Sequence, residues 1–264
     1  MTKPLAPAVP SATILLLRGD HSMLEVLMVV RHHQIDFASG ALVFPGGKVD
    51  PQDEDAALVA RCDGASGVTA TRAIQIAAIR EAYEECGVLL ARAAGETKLI
   101  AGARLATLEP FRNQINKGEV SFQKFLERHD LRLACDQLVP FAHWITPEMM
   151  PKRFDTHFFV AVAPPDQVAL HDGHESVDSV WITPDDAIAG AASRRYTVIF
   201  PTLRQVEKLG QAASPDDAIA RAKRNRIVTV TPWTEQRVDG SYLCIPTEAG
   251  YDVSEEKMPA RAAQ

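Results

Sequence analysis

The chain lacks paired cysteines, an excess of basic charge and any long apolar run. Each absence closes off a class of protein. The four cysteines, Cys62, Cys86, Cys135 and Cys244, share no CxxC spacing. Neither a cysteine-based zinc site nor a redox pair is signalled, and the thiols read as reduced and buried. Net charge is -6, with 28 Lys and Arg against 34 Asp and Glu. A protein that grips nucleic acid through bulk charge carries a basic face instead, so no nucleic-acid partner is expected. The longest apolar runs, such as residues 14–17, fall far short of the ~20 residues that span a bilayer. The opening MTKPLAPAVPSA has no apolar centre of the kind a signal peptide needs. The closing ARAAQ carries no readable address. The expectation is a cytoplasmic protein with no membrane partner. What remains is ordinary globular composition, 46% hydrophobic and 23% charged, over a length that can bury a real core.

The coarse pattern is α+β. ATILLLR, 12–18, and LEVLMVVR, 24–31, read as a strand hairpin across a short turn. ALVF, 41–44, is a short strand that stops at Pro45-Gly46-Gly47. A polar loop follows, with room for a short helix in its middle. From Thr69 the period changes to that of a helix. Ile76, Ile79, Tyr83, Cys86 and Leu90 step by three and four, and Gly87 suits the helix end, with continuation through 88–90 the alternative. Residues 104–135 read as helical. VPFAHWIT, 139–146, RFDTHFFVAVA, 153–163, and SVWIT, 179–183, read as strands. Helices are expected from Pro184, over 197–210 and over 214–225. IVTVTPW and SYLCIP are expected to pair around the Asp239-Gly240 turn. Neither repeats nor a low-complexity linker divide the chain.

Chemistry concentrates in REAYEECGV, 80–88, where Glu81, Glu84 and Glu85 crowd together beside Arg80. Like charges three and four apart on a helix repel. At about 100° per residue, Glu81 and Glu85 lie opposite Tyr83, away from the apolar stripe. Two readings stay open for this face. It is a solvated acidic surface with Arg80 paired to Glu84, or it is an oxygen-only site for Mg²⁺ or Mn²⁺. Phe44-Pro45-Gly46-Gly47 upstream favours the second, because paired glycines let backbone approach a ligand closely.

With FPGG and REAYEECGV together, the chain resembles the Nudix hydrolases. Their box reads G-x5-E-x7-R-E-U-x-E-E-x-G-U. Gly47, Arg80, Glu81, Glu84, Glu85, Gly87 and Val88 match it, and Ala82 takes the first U position. Gly47 and Arg80 stand 33 positions apart rather than the usual 14, an insertion of 19. Asp53 stands where the first glutamate belongs. The resemblance implies an α/β/α sandwich around a mixed sheet, with a helical insertion and a C-terminal extension. The implied organisation is a flexible tail over 1–10, a hydrolase domain over 11–190 with its insertion near 104–135, and an extension over 191–264. It also implies hydrolysis of a diphosphate by metal-activated water, with Glu81, Glu85, Glu84 and the Gly47 carbonyl as metal ligands. Arg80 would orient a glutamate, and Glu84 and Glu175 are candidates for the base. His171 and His174 are further candidate ligands, against the commoner surface role of loop histidines.

RHHQIDFASGALVFPGG, 31–47, resembles the R-S-x3-R-x3-G-x3-F-P-G-G of Nudix enzymes that cleave coenzyme A. Arg31, Gly40 and residues 44–47 keep its spacing, while His32 and Asp36 replace its Ser and second Arg. A wider likeness joins the chain to a peroxisomal mammalian branch that acts on coenzyme A and its acyl esters. The expected substrate is therefore a small diphosphate, first of all coenzyme A or acyl-coenzyme A. ADP-ribose, nucleotide sugars and dinucleotides are the alternative, and a non-catalytic nucleotide sensor is the second alternative. Arg31, Phe44 and Arg153 are candidates for substrate contact. Arg153 could equally pair with Asp155 on the same strand face. The segment 104–135 is the natural place for a specificity lid, although Phe111, Phe122 and Phe125 read more readily as core. Self-association into a homodimer is left open.

Overall fold

Alternation along one strand organises the molecule. In the computed structural model, which describes residues 6–31, 40–64, 69–164 and 176–258, β1 (Ala8–Gly19) is buried on both faces. Ala12, Ile14 and Leu16 point into one core, Leu15 and Leu17 into another. A strand covered on both sides needs helices on both sides. Around β1 lie β2 (Leu24–Arg31), β3 (Leu42–Val43) and β4 (Gly46–Lys48). A 3₁₀ turn, Pro51–Glu54, and the short α1 (Ala56–Val59) lead to α2 (Thr69–Cys86). β5 (Ala91–Ala93), α3 (Gly102–Asn116), α4 (Phe122–Arg128) and β6 (Leu131–Leu133) follow. Then come β7 (Val139–Ile145), β8 (Arg153–Val162), β9 (Ser176–Ile182), α5 (Pro184–Ala192), α6 (Phe200–Leu209) and α7 (Pro215–Arg224). The chain ends in β10 (Thr229–Val230), β11 (Trp233–Arg237), β12 (Gly240–Cys244) and β13 (Glu255–Lys257).

The main sheet runs β10-β7-β8-β1-β2-β3, with β4 also on β1 and β9 on β2. β1 and β8 are parallel, as are β10 and β7, and the other pairs are antiparallel. The mixed sheet carries α2, α3 and α4 against one face and α5, α6 and α7 against the other. This is the expected α/β/α sandwich.

Four expectations are corrected. The 104–135 stretch is not one helical block. It is two helices followed by β6, which pairs with β5. Phe122 and Phe125 are buried there, and Tyr83 of α2 stacks on Phe125 at 5.3 Å. The supposed tail over 1–10 already enters β1 at Ala8. IVTVTPW does not form one strand of the final hairpin. Its Thr229 and Val230 extend the main sheet, and only Trp233 joins the hairpin with β12. The boundary at 190 falls inside α5, and the segment beyond it supplies Val206, Leu209, Val230, Ile245 and Tyr251 to one core. Core residues drawn from both sides of a boundary make one cooperative body.

Candidate active site

The acidic helix face is not solvated. Glu85 is 8% exposed, and the side chains of Glu81 and Glu84 are 13% and 20% exposed. What covers them is the Phe44–Lys48 turn. β4 pairs with β1 through Gly46 to Thr13, Gly47 to Ala12 and Lys48 to Ser11. The Gly46 N–H donates to Glu85 Oε2 at 3.0 Å. A Cβ at Gly46 would sit 2.7 Å from the Thr13 Cα, and one at Gly47 would collide with the Glu81 carboxylate. Both glycines are needed because strand backbone on one side and carboxylate on the other leave no room for a side chain.

Arg80 is the clamp between the loop and the helix. Its Nε and one Nη donate to the two oxygens of Asp53, both at 3.0 Å. The other Nη donates to Glu81 Oε1 at 2.9 Å and Glu84 Oε2 at 3.3 Å. The remaining hydrogen bond goes to the Lys48 carbonyl at 3.0 Å. A guanidinium has five N–H donors, and all are engaged within the protein. Arg80 is thus a positioning residue, not one that reaches substrate or reacting atoms. Asp53 is 1% exposed and also accepts the Asp50 N–H at 2.8 Å, closing a capping box on its 3₁₀ turn. From the place of the box's first glutamate, and one methylene shorter, it ties the loop to α2 through Arg80. The 19 inserted residues lead away from this contact. Arg61, Cys62 and Asp63 pair with Leu133, and Asp63 accepts bonds from Arg92 and Arg132. The insertion is anchored on the two-stranded β5–β6 sheet and leaves the Asp53–Arg80 contact intact.

The far end of α2 is held from α3. Arg112, 5% exposed, donates through Nε to the Glu84 carbonyl at 3.0 Å and through Nη2 to the Glu85 carbonyl at 2.7 Å. A cation there satisfies the last carbonyls and opposes the negative end of the helix dipole. Tyr83 Oη donates to the Leu108 carbonyl at 2.7 Å. Gly87, at φ +71°, returns its N–H to the Tyr83 carbonyl at 2.9 Å. Arg112 was missed in the sequence because nothing local marks an arginine 27 residues away as a cap. The segment expected as a lid acts here as a brace.

Burial pushes the Glu84 carboxyl up to about 7, with Arg80 opposing and Glu81 adding to the rise. A buried carboxyl that resists ionising beside two others is one that a cation would relieve. Donors that are all oxygen, three carboxylates beside a glycine-rich turn, fit a hard divalent ion such as Mg²⁺ or Mn²⁺.

Other candidates fall differently. Phe44 is 4% exposed and packs in the core with Leu42, so it does not line a binding surface. Arg153 is also buried. It donates to the Thr146 carbonyl at 3.0 Å and the Ala6 carbonyl at 2.9 Å, tying strand ends rather than awaiting a phosphate. Asp155, expected as its partner, lies 2.5 Å from His143 instead. Arg31 ends β2, and its side chain lies outside what is described. Glu175, His171, His174, His32 and Asp36 also lie outside the described residues.

Comparison with known proteins agrees with this geometry. The family model of the NUDT19 Nudix domain matches residues 58–209, more than half of the chain. Acyl-coenzyme A diphosphatase NUDT19 of Homo sapiens is 28% identical over 150 residues, covering 54% of this chain and 40% of that protein. The Xenopus laevis protein of the same name is 23% identical over 228 residues, covering 70% of this chain and 59% of that one. The chain thus spans about half the length of these relatives. A NUDIX hydrolase crystal structure from Alicyclobacillus acidocaldarius superposes with a TM-score of 0.71 at 24% identity, over 82% of this chain and 97% of that one. That likeness concerns the fold.

Proposed function

The chain belongs to the Nudix hydrolases, in the family of the NUDT19 Nudix domain, and from that premise we propose that it is a metal-dependent diphosphatase. Its substrate is a small molecule carrying a nucleoside diphosphate, first of all coenzyme A or acyl-coenzyme A. The products would be 3′,5′-ADP and 4′-phosphopantetheine or its acyl form. The observation that carries the reading is the closure of Glu81 and Glu85 onto Gly46-Gly47, with Arg80 and Asp53 bracing the contact. Catalysis by positioned charge needs groups held before substrate arrives.

Glu81, Glu85 and the Gly47 carbonyl would hold Mg²⁺ or Mn²⁺, with Glu84 as a further ligand or as the base. A bound divalent ion supplies Lewis acidity toward phosphoryl oxygens and lowers the pKa of a water. The protein's own part is orientation. Arg80 holds Glu81 and Glu84 in register, and Gly46 fixes Glu85. Coenzyme A as the substrate is supported by the names of the two relatives and by Arg31, Gly40 and FPGG at the spacing described above.

The test is a substrate panel in Mg²⁺ and in Mn²⁺: coenzyme A, acetyl- and long-chain acyl-coenzyme A, ADP-ribose, a nucleotide sugar and a dinucleotide. Products are resolved by HPLC. Release of 3′,5′-ADP from a coenzyme A species is expected, and Glu85→Gln should abolish it while the far-UV CD spectrum stays native. Cleavage of ADP-ribose, a nucleotide sugar or a dinucleotide alone would assign the alternative substrates. Binding of a nucleotide with no turnover of any diphosphate would assign a sensor.

A further inference from the structure

A second cluster of ligating side chains stands on the same face of the same sheet. Thr229, His143, His157, Ala12 and Gly47 form one lateral row across β10, β7, β8, β1 and β4. Laterally paired residues point to one face of a sheet. At Gly47 that is the face of α2, because a Cβ there would meet Glu81. Counting two strand spacings of about 4.8 Å, His157 stands roughly 10 Å from Gly47. Asp155, two residues before His157, shares the face.

The three side chains converge. His143 Nε2 is 2.5 Å from Asp155 Oδ1, and His157 Nε2 is 3.9 Å from the same oxygen. One ligand atom from each residue lies within 4.8 Å of the others. The imidazole rings stack, with centroids 4.1 Å apart. His143 Nδ1 is 2.8 Å from Thr229 Oγ1. The cluster is open to solvent at one side, with His143, Asp155 and His157 side chains 18%, 35% and 37% exposed.

We infer that His143, Asp155 and His157 form a separate metal site, for a divalent ion that takes imidazole nitrogen, zinc above all. Two imidazoles and a carboxylate are a zinc donor set, whereas the Glu81–Glu85 set is oxygen only. Zn–N and Zn–O bonds of about 2.1 Å at tetrahedral angles put ligand atoms roughly 3.4 Å apart. The separations of 2.5 and 3.9 Å bracket that value, and the stacked rings turn toward each other to bring both Nε2 atoms onto one ion. His143 Nε2 faces the carboxylate oxygen and its Nδ1 faces the Thr229 hydroxyl; in the tautomer that donates Nδ1–H to Thr229, the Nε2 lone pair would serve the ion. Such an outer hydrogen bond fixes the tautomer of a zinc histidine. The open side leaves a position for water or substrate.

This inference does not rest on the diphosphatase reading. The experiment is equilibrium dialysis of chelator-stripped protein against Zn²⁺ in excess Mg²⁺, with Co²⁺ absorption spectra in parallel. Wild type and Glu81→Gln/Glu85→Gln should each bind one zinc per chain and give a Co²⁺ spectrum with nitrogen ligands. His143→Ala/His157→Ala should lose both signals, and Thr229→Ala should bind about tenfold more weakly. Should the double alanine variant fail to fold, Asp155→Asn replaces it, with CD confirming the fold. No zinc retained by wild type would overturn the site, leaving a proton-bridged His143–Asp155 pair. Zinc retained without the histidines, or lost with the glutamates, would overturn it as well.

Discussion

Asp53 and Arg80 form an ion pair that is nearly out of water, with side chains 1% and 11% exposed. Breaking such a pair leaves an uncompensated buried charge, which costs about 3 kcal/mol or more. Asp53→Asn should therefore lower the unfolding free energy measured in urea by that order and reduce turnover together, since the same guanidinium holds Glu81 and Glu84. Glu84 gives a pH signature. Its folded carboxyl titrates at about 7, against an ordinary 4.5, chiefly because it is buried. The folded protein thus holds a proton that the unfolded chain releases, and stability falls as pH rises through that window. Chelated protein should melt at a lower temperature at pH 8 than at pH 5.5, with the difference shrinking in Glu84→Gln. Saturating Mg²⁺ should restore the melting temperature at pH 8, because an ion that binds only the folded state stabilises it.

Among elements, α2 carries the chemistry but depends on neighbours at both ends. Its apolar stripe was legible, and Ile76, Ile79, Tyr83 and Cys86 are all fully buried. Its end at Gly87 was legible too, because only a residue tolerant of positive φ closes a helix that way. Its C-terminal brace was not. Arg112 reaches the Glu84 and Glu85 carbonyls from a different helix. Arg112→Ala should cost about 2 kcal/mol in chemical denaturation, the scale of losing charged hydrogen bonds at buried acceptors. It should also speed hydrogen exchange at the α2 C-terminus. Turnover should fall more than substrate binding does, as the glutamates lose their fixed geometry. The merged 104–135 reading failed for a related reason. A segment as short as Leu131–Leu133 has no length to show its period, and pairing with β5 decides it.

Across the whole molecule, the C-terminal segment is integral to the fold. Trp144 Nε1 donates to Tyr251 Oη at 2.8 Å, and Tyr251 Oη donates to Gln205 at 3.0 Å, all in the buried core. Tyr251→Phe would strand both partners, costing about 2 kcal/mol. The loss should appear in one cooperative transition followed by both near-UV and far-UV CD, not as early unfolding of a separate unit. The limits implied by the resemblance did not include this, since Thr229–Val230 is too short a strand to announce that it extends the sheet. By itself, the sequence determined the α+β succession of strands and helices and the acidic helix. Both follow from local periodicity, which says which side of each element must leave water. Only the tertiary structure decided that Asp53 meets Arg80 across 27 positions, and that Thr229 meets His143 across 86. It alone buried Phe44 and Arg153 and opened the histidine row. Side chains distant in sequence become neighbours through strand order and register. These are set by packing the whole sheet between its helices, and no local run of residues encodes them.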